Sequence, residues 1–489
     1  MTADAPPSVD SVTEQTFIAR VLGADRSALE AKGRAGLRSE LMRVLREAVR
    51  MGRLAPGVRL PSSRSLAADL GLARNTVADA YAELVAEGWF TARQGSGTRV
   101  AQRAELPRAE SRRATGLAPL RTVRPRPAHN LMPGLPDLST FPRADWLKSS
   151  RRALAAAPND ALGCGDPRGR VELRTALADY LARARRVYTH PEHIVICAGF
   201  TQALKLVGEV LRRRQAREVA VESYGLDVHW RLLADAGLHM PCLPVDGSGA
   251  RTGNLAGMRG VGAVLLTPAH QFPTGALLHP DRRAAAVDWA RSTGGLILED
   301  DYDGEFRYDR HPVGALQGID PERVVHLGTT SKSLAPGLRL GWMVLPESLV
   351  TEVVETKGIS DWSASALEQL TLAEFIESGA YDRHVRSMRL RYRRRRDQLV
   401  AVLAERAPGV RVSGVPAGLH AMLELPKGGE ALALRAAAWQ GLALEGFSRF
   451  RHPDEAPGRD ALVIGYGAPT DSAWAGALEA LCRVLTQMP

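Results

Sequence analysis

The chain has 489 residues, 45% of them hydrophobic and 24% charged, with a formal net charge of +10. That length exceeds one ordinary core and predicts two or three domains, while the apolar fraction excludes a disordered or low-complexity protein. No run of about 20 apolar residues occurs, so no membrane-spanning helix is expected, and the opening MTADAPPSVDSVTEQ lacks the basic stretch and apolar core of a secretory leader.

The basic surplus is unevenly placed. Residues 30–100 carry twelve basic against seven acidic side chains and residues 101–129 carry seven against two, whereas everything after residue 129 is nearly balanced. A surplus confined to the N-terminal part predicts a module that binds a polyanion. Cys164, Cys197, Cys242 and Cys482 stand far apart, without metal-ligand spacing or a framework pattern. Neither zinc nor disulfides are expected, and the predicted compartment is the reducing cytoplasm.

Residues 1–33 are a polar lead-in, and residues 34–100 form a compact unit. Leu37, Leu41, Val44, Leu45 and Val49 recur at helical spacing up to Gly52, and Leu54-Ala55-Pro56-Gly57 reads as a turn. Ser62 and Ser63 offer a hydroxyl cap to a short helix, Ser65 to Leu70, closed by Gly71. A second helix begins at Arg74-Asn75-Thr76 and runs to Gly88. Two short helices across a glycine turn make a helix-turn-helix, whose second helix presents Arg74, Asn75 and Thr76 to the major groove. The stretch from Trp89 to Val100 then reads as a hairpin with a glycine tip, a wing that can approach phosphates.

Residues 101–129, AQRAELPRAESRRATGLAPLRTVRPRPAH, are rich in Arg, Pro and Ala and form a linker. From 130 to 489, apolar runs alternate with amphipathic helices: 193–197, 218–221, 263–266, 296–298 and 324–327. This predicts an α/β domain with a mainly parallel sheet covered on both faces and a ligand at the carboxyl ends of its strands.

The segment from Gly328 to Arg339 stands just after such a strand. Lys332, flanked by Thr329 and Ser331 and followed by Arg339, is the pattern needed to hold pyridoxal 5'-phosphate as a Schiff base with its phosphate neutralised nearby. Upstream, Asp300 follows the apolar run Leu296-Ile297-Leu298 and is placed to keep the pyridine nitrogen protonated. Three consecutive acids blur the register and leave Asp301 as the alternative. Tyr302 is placed to reach the phenolic oxygen. The run from Arg389 to Arg396 reads as the solvated face of a helix whose packed side holds Leu390, Leu399 and Val400, in preference to the alternative of a second nucleic-acid patch.

On PGVRLPSSRSLAADLGLARNTVADAYAELVAEG and RQGSGTRV, residues 37–100 resemble the winged helix-turn-helix of GntR regulators. Residues 130–489 resemble a fold-type I aminotransferase, with a mainly parallel sheet and a smaller α+β subdomain. The combination resembles the MocR subfamily. By that resemblance Arg64 and Arg74 read base edges, because an Arg fork matches the guanine acceptors. Ser62, Ser63, Asn75, Thr76, Arg93 and Gly97 contact the backbone or the minor groove. The resemblance also brings His270 and Gln271 beside the cofactor ring, and Gly199-Phe200-Thr201-Gln202 around its phosphate. Tyr224 either stacks on the ring or is a core tyrosine.

The chain departs from the family pattern at three places. Cys164 stands where relatives carry a tyrosine that reaches the phosphate across a dimer interface, and Phe200 and Thr201 replace a small hydroxyl residue and a glutamine. The stretch Ala461–Gly467 has no arginine for a substrate carboxylate; Arg449 and Arg451 are the candidate stand-ins. These departures weaken the case for transamination, because positioning supplies much of the rate. The resemblance therefore implies a regulator that binds operator DNA as a head-to-tail homodimer and senses pyridoxal phosphate, an amine or an amino acid; a working aminotransferase with an attached DNA module is the alternative. The control of vitamin B6 or amino-compound metabolism would follow by analogy.

Overall fold

The computed structural model describes residues 36–93, 97–102, 127–308 and 313–486. The lead-in 1–33 and most of the expected linker lie outside the described residues. Two compact units divide between Arg124 and Pro125, and each is described by itself.

In the first unit, α1 (Leu37–Arg50) turns Leu41, Met42, Leu45 and Ala48 inward. Helix α2 (Ser63–Leu70) starts two residues earlier than its sequence suggests, because the Ser62 hydroxyl accepts a hydrogen bond from Ser65 N at 3.0 Å; it ends at Gly71 in the left-handed region, φ 66°. Helix α3 (Arg74–Ala86) buries Val77, Ala80, Tyr81 and Leu84 against the other two. Strands β1 (Phe90–Arg93) and β2 (Gly97–Val100) pair antiparallel, with Phe90 opposite Val100 and Arg93 opposite Gly97. Leu60 N donates to Thr98 O and Val100 N to Val58 O, which ties the wing to the segment ahead of α2.

The second unit opens with α4 (Arg143–Ala156) and α5 (Val171–Arg185), then builds a sheet. Its elements are β3 (Ile194–Cys197), α6 (Phe200–Arg213), β4 (Glu218–Glu222), α7 (Asp227–Asp235), β5 (Cys242–Leu243), β6 (Val261–Leu266), α8 (Pro280–Thr293), β7 (Leu296–Asp301), β8 (Val324–Thr329) and β9 (Gly341–Val344). The seven strands lie in the order β3-β9-β8-β7-β6-β4-β5. All pairs are parallel except those of β9, which is antiparallel to both neighbours. Apolar clusters cover both faces: one includes residues of α6 and α7, and on the other face residues of α5 pack at β3 and β9 and residues of α8 at β4, β6, β7 and β8. That is the layered arrangement expected of strands that read as continuous apolar runs.

Helices α9 (Glu347–Ser360) and α10 (Ala366–Glu377) lead into α11 (Ala380–Arg406) and a four-stranded antiparallel sheet. Its strands are β10 (Arg411–Ser413), β11 (His420–Glu424), β12 (Glu445–Gly446) and β13 (Ala461–Gly465), covered by α12 (Gly429–Trp439) and α13 (Asp471–Thr486). In α11 the packed face is Met388, Tyr392, Arg395, Leu399 and Leu403, a helical stripe. Leu390, expected on that face, lies opposite it and is 64% exposed.

Candidate functional site

The first unit presents an open helix end. Ala73 precedes α3 and no side chain caps it, so the first-turn N–H groups face outward beside the exposed Arg74 and Asn75. Arg64 on α2 is also exposed. Ser62 is committed to its own helix as the cap, which gives it a structural duty besides any contact with a phosphate. Gly97 has φ 81°, and a Cβ there would lie 3.2 Å from the Arg59 guanidinium. Arg93 is exposed at the end of β1. Thr76 and Ser63 are half-buried.

In the second unit a cavity of about 280 Å³ opens at the carboxyl ends of β4, β6, β7 and β8. Its wall includes Lys332, Asp300, Tyr302, Tyr224, Thr201, Thr329, Ser331 and Arg339, eight of the ten residues singled out from the sequence for a cofactor. Gln202 and His270 are behind the wall.

Strand alternation separates the three adjacent acids. Glu299 accepts from Leu316 N at 2.7 Å and Gln317 N at 3.1 Å, and Asp301 is bound by both arms of Arg185. Asp300 points the other way, into the cavity, and its Oδ1 is buried without a hydrogen-bond partner. Burial holds its carboxyl well above the usual range, opposed by the charge of Lys332. Lys332 lies on the loop after β8 and donates from Nζ to Gly134 O at 2.5 Å. Burial pushes its amine below the ordinary value, partly offset by Asp303 and Asp300.

On the wall of the same cavity is a cradle for an anion. Gly199, with φ 90°, precedes α6 and no side chain caps the helix. A Cβ at Gly199 would lie 3.2 Å from Arg339 Nη1, which places the guanidinium directly over this helix end. The Thr329 and Ser331 hydroxyls lie 2.8 Å apart on the cavity wall. Together these groups supply a positive helix terminus, a guanidinium and two hydroxyls. Gln202 supports them from behind: its Oε1 accepts from Ala198 N at 2.5 Å and its Nε2 reaches Asp361.

Tyr302 donates from its hydroxyl to His270 O at 2.9 Å, and burial raises its phenol well above the ordinary value. His270 Nδ1 meets Asp303 Oδ2 at 2.8 Å, and its ring lies 4.6 Å from that of His420. These three buried side chains offer donor atoms within 4.8 Å of one another. Tyr224 is stacked on Phe447, with ring centroids 4.2 Å apart, within a cluster that holds Phe272, Phe450 and Val463. It is thus both cavity wall and core. Gln271 is internal, donating from Nε2 to Tyr224 O at 2.9 Å.

The sequence reading missed Glu222. It ends β4, lines the cavity, and its Oε2 accepts from Thr267 Oγ1 at 2.5 Å and from Gln271 Nε2 at 3.2 Å. Burial pushes its carboxyl up to about 7. An acid at the carboxyl end of a central strand was the available signal. His229 and Trp230 on α7 also line the cavity, and burial lowers His229 to about 4. Arg339 is the cavity's arginine among the described residues. Arg449 is exposed and pairs with Asp227 at 3.1 Å, and neither it nor Arg451 reaches the cavity wall. Cys164 is exposed on its loop.

A family model of aminotransferase class I and II matches residues 130–445, and one of bacterial regulatory proteins of the gntR family matches residues 37–100. The chain is 32% identical over 437 residues to the HTH-type pyridoxine biosynthesis transcriptional regulator PdxR of Corynebacterium glutamicum, across 88% of this chain and 92% of that relative. It is 31% identical over 448 residues to the probable rhizopine catabolism regulatory protein MocR of Rhizobium meliloti, across 87% of this chain and 89% of that one. Among solved structures, the multiple substrate aminotransferase of Thermococcus profundus superposes with a TM-score of 0.66 at 26% identity, covering 75% of this chain and 93% of that chain. Among the described residues no helix is long and apolar enough to cross a membrane.

Proposed function

Because the chain belongs to the MocR subfamily of GntR transcriptional regulators, we propose that it reads operator DNA through its winged helix-turn-helix and senses pyridoxal 5'-phosphate, or an amine presented to it, through its aminotransferase-like unit. The observation that carries this reading is Asp300 Oδ1, buried in the cavity wall with no hydrogen-bond partner, on the same cavity as Lys332. A protonated pyridine nitrogen is the donor that such a carboxylate lacks. Bound there, the cofactor supplies an aldehyde for the Lys332 amine and an electron-withdrawing ring.

The chain's own residues divide the remaining work. The lowered pKa of Lys332 enlarges its neutral, nucleophilic fraction. Arg339, Thr329, Ser331 and the N–H groups at Phe200 and Thr201 hold the phosphate, and Tyr302, oriented by the His270 carbonyl, faces the phenolic oxygen. Tyr224 bounds the ring from within its stack on Phe447. Gln202 and His270 act through the residues they support. On the first unit, Arg64 and Arg74 read bases, while Ser62, Ser63, Asn75, Thr76, Arg93 and Gly97 meet the backbone.

Sensing is favoured over turnover because β13, where a carboxylate-binding arginine is expected, contributes Val463 to an apolar cluster beside the cavity. The relative named for pyridoxine biosynthesis makes vitamin B6 metabolism the first target class, with amino-compound metabolism the second. The regulator would work in the cytoplasm as a head-to-tail homodimer, with residues 101–129 setting the spacing of half-sites.

The test is footprinting of the full chain on DNA upstream of its own gene, with and without pyridoxal phosphate and candidate amines, beside the visible spectrum. The expected result is a band that disappears in Lys332→Ala and a footprint that changes with the cofactor in the parent only. Steady turnover of an amino-acid and keto-acid pair, with a footprint indifferent to the cofactor, would establish the enzyme reading instead.

A further inference from the structure

Helix α11 carries nine arginines against three acidic residues, a surplus larger than that of the whole chain after residue 129, whose remainder is net negative. The structure separates these arginines by duty. Arg395 is buried, donating to Asp137 at 3.0 Å and Asp471 at 2.8 Å, and Arg391 joins the same two acids. They hold the helix to its domain. Arg386, Arg393 and Arg394 make no such tie, and these three together with Arg389 are exposed. Their spacings of three, four and seven to eight residues put them along one side of the helix, over roughly 12 Å at about 1.5 Å per residue.

Their charges are almost unanswered. Arg389 donates to a carbonyl, Glu305 O, at 2.9 Å, which fixes its stem without neutralising it. Among the described residues only Arg393 of the four meets a carboxylate, Asp397 at 3.8 Å, with both side chains about 60% exposed. By contrast, exposed arginines elsewhere on this unit, such as Arg231 and Arg251, sit on acids at 3.2 and 2.9 Å. Four neighbouring guanidiniums with a single, solvent-exposed counter-charge repel one another, and a polyanion relieves that repulsion by replacing their condensed anions.

We propose that this arginine row is a second DNA-contacting surface, on the aminotransferase-like unit itself, which grips phosphates of duplex DNA. It supplies affinity and salt dependence without sequence preference, since guanidiniums aimed at phosphates position a duplex and do not specify its bases. The inference rests on the operator-binding reading. The row contains neither of the proposed base readers, Arg64 and Arg74, and none of the cavity residues, so it is separable from both.

The experiment measures binding of the full chain to a labelled operator duplex and to a scrambled duplex across a salt series. Three proteins are compared with the parent: Arg386→Ala/Arg393→Ala/Arg394→Ala, the same three positions changed to Lys, and a control with Arg231, Arg251 and Arg435 changed to Ala. Each phosphate contact adds about 0.9 to the slope of log affinity against log salt. The alanine row is expected to lower that slope by about 2 to 3 on both duplexes, keep the ratio between them, and leave the footprint centre in place. The lysine row should restore the slope, and the control should match the parent. An unchanged slope in the alanine row, or an equal fall in the control, overturns the proposal. A fall in operator affinity alone, with the scrambled duplex unaffected, overturns it as well. Loss of specific binding by the parent itself would instead fail the operator reading on which the row depends.

Discussion

Asp301 and Arg185 are joined by two hydrogen bonds, 2.6 and 2.8 Å long, between side chains that are both only 4% exposed. This pairing decides the role of its neighbour. With Asp301 spent on the face toward α5, strand alternation leaves Asp300 to the cavity. The two adjacent acids therefore predict opposite phenotypes.

Asp301→Asn strands Arg185 in the interior. The expected loss is about 3–5 kcal/mol of unfolding free energy, as when one partner of a buried ion pair is removed, and urea denaturation measures it. Asp300→Asn should leave the urea midpoint near the parent's and weaken pyridoxal phosphate about 10- to 100-fold, the worth of a charge-assisted hydrogen bond. A spectroscopic titration reads this. Equal effects at both positions would count against the assignment of Asp300.

Gly199 has φ 90° and lies under Arg339. Gly199→Ala forces a left-handed backbone on an L side chain and pushes its Cβ toward the guanidinium, so phosphate affinity should fall by about tenfold or more. Inhibition of cofactor uptake by inorganic phosphate, expected in the parent, should weaken in parallel.

Burial lowers the Lys332 amine, while Asp303 and Asp300 raise it. The neutral amine is the reactive form, so the rate at which the visible band develops should rise with pH, with a midpoint below the ordinary lysine value. Asp300→Asn removes a raising contribution and should move that midpoint lower still. A shift upward would contradict the electrostatic assignment.

Glu222 is held at about 7 by burial, above an ordinary 4.5. The folded state then binds the extra proton, so stability from this group is present below pH 4.5 and is lost as pH rises through 7. Glu222→Gln, which keeps a hydrogen-bonding oxygen for Thr267, should abolish that decline. The variant should be more stable than the parent by about 2–3 kcal/mol at pH 8 and no more stable at pH 4.5. Thermal melts across that range provide the comparison.

On the DNA side, Arg64→Ala and Arg74→Ala should each cost about 1–3 kcal/mol of operator affinity while sparing scrambled DNA. Ser62→Ala should instead cost about 1 kcal/mol of fold stability, because its hydroxyl caps α2.

The strands that read as apolar runs from 193 to 327 all formed, because burial on both faces leaves a local imprint in the sequence. Strand β9 was not picked out although residues 340–345 are also apolar: its core, Gly341–Val344, is only four residues long, and its antiparallel direction and place between β3 and β8 depend on pairings far apart in the chain. The cavity was legible where chemistry clusters in sequence, at Lys332 with its hydroxyls and at the acids after β7. Glu222 and His229 were not, since each is a lone polar residue until the fold brings the strand ends together. Leu390 was misplaced because the arginine-rich helix packs through Tyr392 and Arg395, a guanidinium serving as core.

The pairing of Thr329 with Gly341 closes the segment between β8 and β9 into a short loop tied at both ends to the middle of the large sheet. Lys332 and Arg339 ride on that one loop, so their separation is fixed by a handful of neighbouring residues and not by the distant small sheet. In the proposed reading, a rearrangement of β10 to β13 would reshape the outer surroundings of the ligand and leave the Lys332 amine and the Arg339 guanidinium in place.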